Sequence, residues 1–157
     1  MRPQKWQRGV SVVEVVVLIA ILLVVAAIAI PNLLHSNLSE DESSTVASLR
    51  ALNAACANYS MLYGGYPGSL SNLGPGDPAN STSAALIDAA LASGTKSGYV
   101  FTYTAGAIGI GGNVLSYTIT TNPAAPGTGR RRFFTDQSGV IRANRTGAAD
   151  ANSTPVG

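Results

Sequence analysis

The stretch Gly9-Val10-Ser11-Val12-Val13-Glu14, running on through an apolar segment to Ile30-Pro31, decides how this chain reads. From Val10 to Ile30 the only polar residues are Ser11 and Glu14. As a helix rising 1.5 Å per residue, that segment is about 31 Å long, close to one bilayer core. Val and Ile dominate it, and both are weak helix formers in water. In lipid, however, every backbone N–H and C=O must be paired within the segment, which leaves helix as the spanning form. Arg2, Lys5 and Arg8 precede the run and place its N-terminal side in the cytoplasm. Glu14 is the anomaly, because a carboxylate at the centre of a membrane helix costs about 2.5–3.5 kcal/mol. A cut after Gly9 would create an α-amine on Val10, a cation able to neutralise Glu14 in the same subunit or a neighbour.

These residues resemble the type IV prepilin family, which also includes the pseudopilins of type II secretion. The family pattern is a short basic leader, a glycine, a cleavage, and a hydrophobic helix with glutamate at its fifth residue. Here the leader is 1–9, the mature chain starts at Val10, and Glu14 is its fifth residue. Pro31, followed by Asn32-Leu33, falls where many members carry a helix-bending proline. Val10 is a departure, since the family usually has phenylalanine or another large residue there. The match covers about the first third of the chain; the remainder shares only a general layout.

The resemblance implies an α+β fold of type IV pilin-like form, a long N-terminal helix packed on a small antiparallel sheet. It implies a structural, non-enzymatic subunit without cofactor or metal. Its partners would be further copies of itself and other pilins, a prepilin peptidase that cuts Gly9–Val10 and N-methylates Val10, and an inner-membrane assembly platform. Before assembly the chain would sit in the inner membrane as a single-pass protein. Afterwards it would lie in an extracellular pilus serving adhesion, twitching motility or DNA uptake, or, in the alternative reading, in a periplasmic pseudopilus driving type II secretion. Glu14 would set the assembly register and Pro31 the helix kink.

An ordinary secretory signal peptide competes with this reading, with an apolar core over Val15–Ala26 and Ala27-Ile28-Ala29 as its cleavage site. Three features oppose it: Glu14 has no role in such a core, Pro31 lies just past the cut, and the helical pattern continues beyond Ala29.

The chain carries ten Lys and Arg against eight Asp and Glu, net +2. Removing Arg2, Lys5 and Arg8 leaves seven cations and eight anions, net −1. The basicity therefore belongs to the leader and does not point to a nucleic-acid partner. Cys56 is the only cysteine, so an intrachain disulfide is excluded. Stability must come from core packing and assembly.

Beyond Pro31 the apolar positions form a helical stripe. Leu49, Leu52, Cys56, Tyr59 and Tyr63 follow 3-4-3-4 spacing, with Val46 leading in and Arg50, Asn53 and Asn58 off that face. Gly64-Gly65 stops the helix, and Tyr66-Pro67 keeps it stopped. A helix from Val10 to Tyr63 is about 80 Å long, more than a small domain can bury. Its assembly half is 10–31 and its amphipathic half 32–64. Segment 65–98 reads as a loop with local helices, one capped by Thr82 or Ser83 and running through Leu86, Ile87, Ala90 and Leu91 to Gly94.

Over 99–145 the pattern changes to strands. Tyr99, Phe101 and Tyr103 form one inward face, and Leu115, Tyr117 and Ile119 the next. Arg130–Asp136 and Val140–Ala143 read as a hairpin turning at Gln137-Ser138-Gly139. The expectation is a sheet of three or four strands on the Leu49–Tyr63 stripe, with 146–157 a small, polar, loosely held tail.

Cys56 on the stripe reads as a small core residue, and His35 as an ordinary polar one. Arg130-Arg131-Arg132 reads as an exposed strand edge that discourages edge pairing, and Glu40-Asp41-Glu42 as a solvated face. The sharper readings bring these two clusters together as contacts between subunits or, last in rank because the mature net charge is close to neutral, give the arginines to DNA capture by a filament surface. Zinc-ligand spacing, a nucleophile elbow and a P-loop are absent. The turn Asp136-Gln137-Ser138-Gly139 has too few oxygen donors to argue for calcium.

Overall fold

The repeating apolar spacing from Val46 onward folds as expected, into the second half of one long helix. The computed structural model describes residues 11–156, and of 29–36 the backbone only. Helix α1 runs from Val12 to Tyr63. The chain divides into two units, Met1–Ser36 and Asn37–Gly157, with α1 crossing the boundary. The leader 1–9, Gly9 and Val10 lie outside the described residues. Pro31 lies within the span of α1, and its side chain, like that of His35, is outside those described.

The second unit is α+β. Its strands are β1 (Thr95–Lys96), β2 (Tyr99–Ala105), β3 (Tyr117–Pro123), β4 (Arg132–Asp136), β5 (Arg142–Asn144) and β6 (Thr154–Pro155). They form one antiparallel meander, each strand beside the next in sequence. Six strands replace the three or four expected, because β1 and β6 are two-residue pieces at the edges. Short edge strands leave little unpaired backbone for another chain to pair with.

The core closes between α1 and the sheet. Val46, Leu49, Leu52, Cys56 and Tyr59 are buried against Tyr99, Phe101, Tyr117, Ile119 and Phe133, with Leu70, Leu73 and Leu91 from the connecting segment. Tyr63, the last member of the stripe, is 36% exposed at the core margin. Burial pushes the Cys56 thiol up to about 12. At neutral pH it therefore stays a protonated packing group rather than a nucleophile.

Four local expectations are corrected. Leu115 is exposed rather than inward, because the β3 ladder begins only at Tyr117. The helix expected from Thr82 or Ser83 is confined to α2 (Ala89–Ala92). Its cap is Asp88, whose side chain accepts from the Leu91 N–H at 2.8 Å. The preceding amides, from Ala84 to Ile87, instead donate to the carbonyls of Asn72, Leu73 and Gly74, which draws that stretch out of a helix. The tail is not loose either. β6 pairs with β5, the Val156 N–H donates to the Ile141 carbonyl at 2.8 Å, and Ala149 is buried. A backbone ladder does not need the large side chains whose absence made the tail read as loose.

Asn53 is the fourth. Although off the apolar stripe, it faces the sheet. Its Nδ2 donates to Thr135 Oγ1 at 2.9 Å and to the Gly139 carbonyl at 3.2 Å, and its Oδ1 accepts from the Tyr117 hydroxyl at 3.1 Å. One carboxamide thus ties α1 to β3, β4 and the β4–β5 turn. Asn53→Ala is expected to lower unfolding free energy by about 1–2 kcal/mol, since partly buried partners lose their hydrogen bonds. A denaturant titration giving a change below about 0.5 kcal/mol, the usual range for a surface substitution, would contradict that tether.

Candidate assembly surface

A helix that packs on one side shows one apolar stripe; a helix that is apolar all round needs partners all round. The N-terminal part of α1 is of the second kind. Its Val, Leu and Ile residues from Val12 to Ile28 are 42–79% exposed. Consecutive residues around the whole circumference are included, so no single face of this chain could cover them. Glu14 is the one charged residue in that stretch and is itself exposed. Among the described residues, no helix is long and apolar enough to cross a membrane.

Of the six residues that one of the sharper readings made subunit contacts, three meet inside one chain: Glu42, Arg130 and Arg131. The Arg131 Nε donates to Glu42 Oε2 at 2.6 Å. The backbone N–H groups of Arg130 and Arg131 both donate to Glu42 Oε1, at 2.8 and 3.1 Å. Glu42 is therefore buried rather than part of a solvated face. Burial opposes its ionisation, but the two amides and the guanidinium outweigh burial and hold its carboxyl below the usual carboxylate range. Arg131 also lies over the Phe133 ring, 5.5 Å from its centroid. Tyr99, whose hydroxyl donates to the Arg131 carbonyl at 2.9 Å, holds the same segment from beneath. Glu40, Arg130 and Arg132 remain exposed and Asp41 is half-exposed.

The Glu42 clamp joins α1 to the chain just before β4 across 88 residues of sequence. A sequence signal for it did exist. Glu42, Val46 and Leu49 are spaced i, i+4, i+7, which puts Glu42 on the buried stripe. The partner was not legible, since nothing local marks which arginine of three comes back to α1.

Among the described residues, no group of three or more His, Cys, Asp or Glu side chains is placed to hold a metal ion. Comparison with protein-family models, with curated proteins and with solved structures finds no match to this chain.

Proposed function

We propose that this chain is a structural subunit of a type IV pilus, with a type IV pilin-like fold, assembled through the apolar half of α1 after cleavage between Gly9 and Val10. The observation that carries the proposal is the helix from Val12 to Ile28, exposed and apolar around its circumference and bearing a single carboxylate. Such a surface fits a bundle of identical helices as well as it fits lipid. The chain would wait in the inner membrane and then exchange lipid for neighbouring helices. Lipid tails are as apolar as the helix, so the hydrophobic effect drives that exchange only weakly, and close packing must supply the rest. Glu14, paired with the Val10 amine of a neighbour, would add one buried charge pair that is satisfied in a single axial register. No catalytic step is assigned to the chain. Cleavage and N-methylation belong to a prepilin peptidase, and extraction from the membrane to the assembly platform.

Intact mass and N-terminal sequencing of the protein from sheared extracellular material and from membranes test the proposal. Abundant sheared filaments starting at N-methylated Val10 are the expected result. The same start confined to membranes would favour the alternative, a pseudopilin of type II secretion. A start at Ile30, or an intact Met1 where the peptidase is active, would overturn the reading of Gly9–Glu14.

A further inference from the structure

At the end of α1, Gly64 adopts φ +78° and turns the chain back. The Tyr66 N–H then donates to the Val114 carbonyl at 2.9 Å, which brings the β2–β3 connection against the last turn of the helix. A cavity of about 310 Å³ opens there, lined chiefly by Tyr59, Tyr63, Tyr66, Asn72, Ser81 and Asn113. That volume is at the small end of ligand pockets, which run from about 300 to 1,000 Å³.

Its walls are held in place. The Tyr59 hydroxyl donates to the Ser81 carbonyl at 2.7 Å, and Asn72 Nδ2 donates to the same oxygen at 3.2 Å. The Tyr63 ring packs on Tyr59 with centroids 4.6 Å apart, and the Tyr66 ring meets Tyr117 edge-on at 4.8 Å. Gly65 permits the close approach, because a Cβ there would lie 2.9 Å from Asn113 Cβ and 3.1 Å from the Val114 nitrogen.

Three polar groups around this cavity are unspent. Among the described residues, the Tyr63 and Tyr66 hydroxyls and the Asn113 carboxamide have no hydrogen-bond partner, whereas Tyr59 and Asn72 are engaged in the walls. The lining itself carries no charge: none of the residues that form it is Asp, Glu, Lys, Arg or His. An ionic ligand would lose hydration there without meeting a counter-charge.

We propose that this cavity binds a neutral pyranoside, one or two sugar rings in size. A pyranose ring presents C–H groups on its faces and hydroxyls around its rim. The tyrosine rings offer an apolar surface with a negative π face to those C–H groups. The Asn113 carboxamide, both donor and acceptor, and the two free phenols can pair with the rim hydroxyls. The site does not depend on the chain being a filament subunit, and its failure would leave that reading untouched.

The test is saturation-transfer NMR followed by titration calorimetry on the full-length protein in an amine-oxide detergent, which carries no sugar headgroup. The probes are methyl glycosides of neutral hexoses and N-acetylhexosamines, their disaccharides, and a methyl hexuronide as the charged control. At least one neutral glycoside is expected to bind, and the hexuronide to bind at least about tenfold more weakly. Asn113→Ala alters an exposed side chain and Tyr63→Phe removes a hydroxyl while keeping the ring on Tyr59, so both should leave the thermal midpoint unchanged while weakening binding at least about tenfold. Asn113→Asp keeps the size of the side chain but places a charge in the cavity, and should weaken binding equally. Absence of saturation transfer from every neutral probe would overturn the proposal, as would affinity unaltered in all three variants.

Discussion

A Glu14→Ala chain is expected to be cleaved after Gly9 as before, yet to give no more than about one-tenth of the sheared filament, a tenfold loss corresponding to ~1.4 kcal/mol. The physical argument concerns what is left behind. On the proposed function, the Val10 amine would lie at the membrane surface before assembly, where water can solvate it, and the alanine would remove an intramembrane carboxylate that is itself costly. The variant should therefore enter the membrane at least as readily as the parent. Inside a bundle of apolar helices the same amine has no water and, without Glu14, no counter-ion, and stranding one partner of a buried pair is strongly destabilising. Glu14→Gln separates charge from shape: it should assemble as poorly as the alanine variant if the charge pair is what matters. Normal filament from Glu14→Gln would sink the register argument, while a failure of both variants at the cleavage step would move Glu14's role from assembly to recognition by the peptidase.

The second large effect belongs to Glu42. Its loss in Glu42→Ala strands two backbone N–H groups and the half-buried Arg131 guanidinium at once. The expected cost is about 2–4 kcal/mol of unfolding free energy, from the stranded donors and the broken pair. For a domain of this size that is a fall of roughly 10 °C in melting temperature. Adding Arg131→Met to Glu42→Ala should recover part of the loss, since removing both partners costs less than removing one. A melting temperature for Glu42→Ala within 1–2 °C of the parent, well short of the roughly 10 °C expected, would show that water replaces the carboxylate at little cost.

The same residue gives the acid behaviour a definite sign. Because the folded state holds Glu42 below its ordinary value of 4.5, the unfolded chain binds more protons in the window beneath 4.5. Stability is thus fully present above that value and is lost as pH falls through the depressed folded value. Asp88, lowered by its hydrogen bond to Lys96, and Asp150, lowered by its hydrogen bond to Ser153, act in the same direction from the surface. Calorimetry from neutral pH downward should show a steeper loss in the parent than in Glu42→Gln. Parallel pH profiles would assign the acid response to the surface aspartates instead.

How much of this architecture was legible beforehand follows from the range of the interactions involved. The stripe from Val46 to Tyr59 and the alternation of Tyr99, Phe101 and Tyr103 are local periodicities, and both fold as they read. Leu115 continues an apparent alternation but lies outside it, because the ladder's first rung is set by the pairing of Ala105 with Tyr117 rather than by hydrophobicity. The short helix failed for the same kind of reason: carbonyls of Asn72–Gly74 competed for its amides, and no local propensity reports a distant acceptor. Glu42 and Asn53 are polar residues on a helix with partners more than 60 residues away. Their positions on the helix were readable and their partners were not. The exposed circumference of Val12–Ile28 and the position of Glu14 are properties of a single segment, so this part of the candidate site was visible from the outset. The cavity beside Tyr66 was not visible, because it exists only where the end of α1 meets the β2–β3 connection.

The charge-free stretches 51–76 and 97–129 have a consequence for the conditions the protein can tolerate. Nothing in them ionises as an acid or a base near neutral pH, so ions in the medium find no fixed charge there to screen. Contacts made by these residues should keep their strength from fresh water to brine, while the exposed charges of Glu40, Arg130 and Arg132 lose influence as salt rises. Within one domain, then, some contacts respond to the ionic medium and others do not.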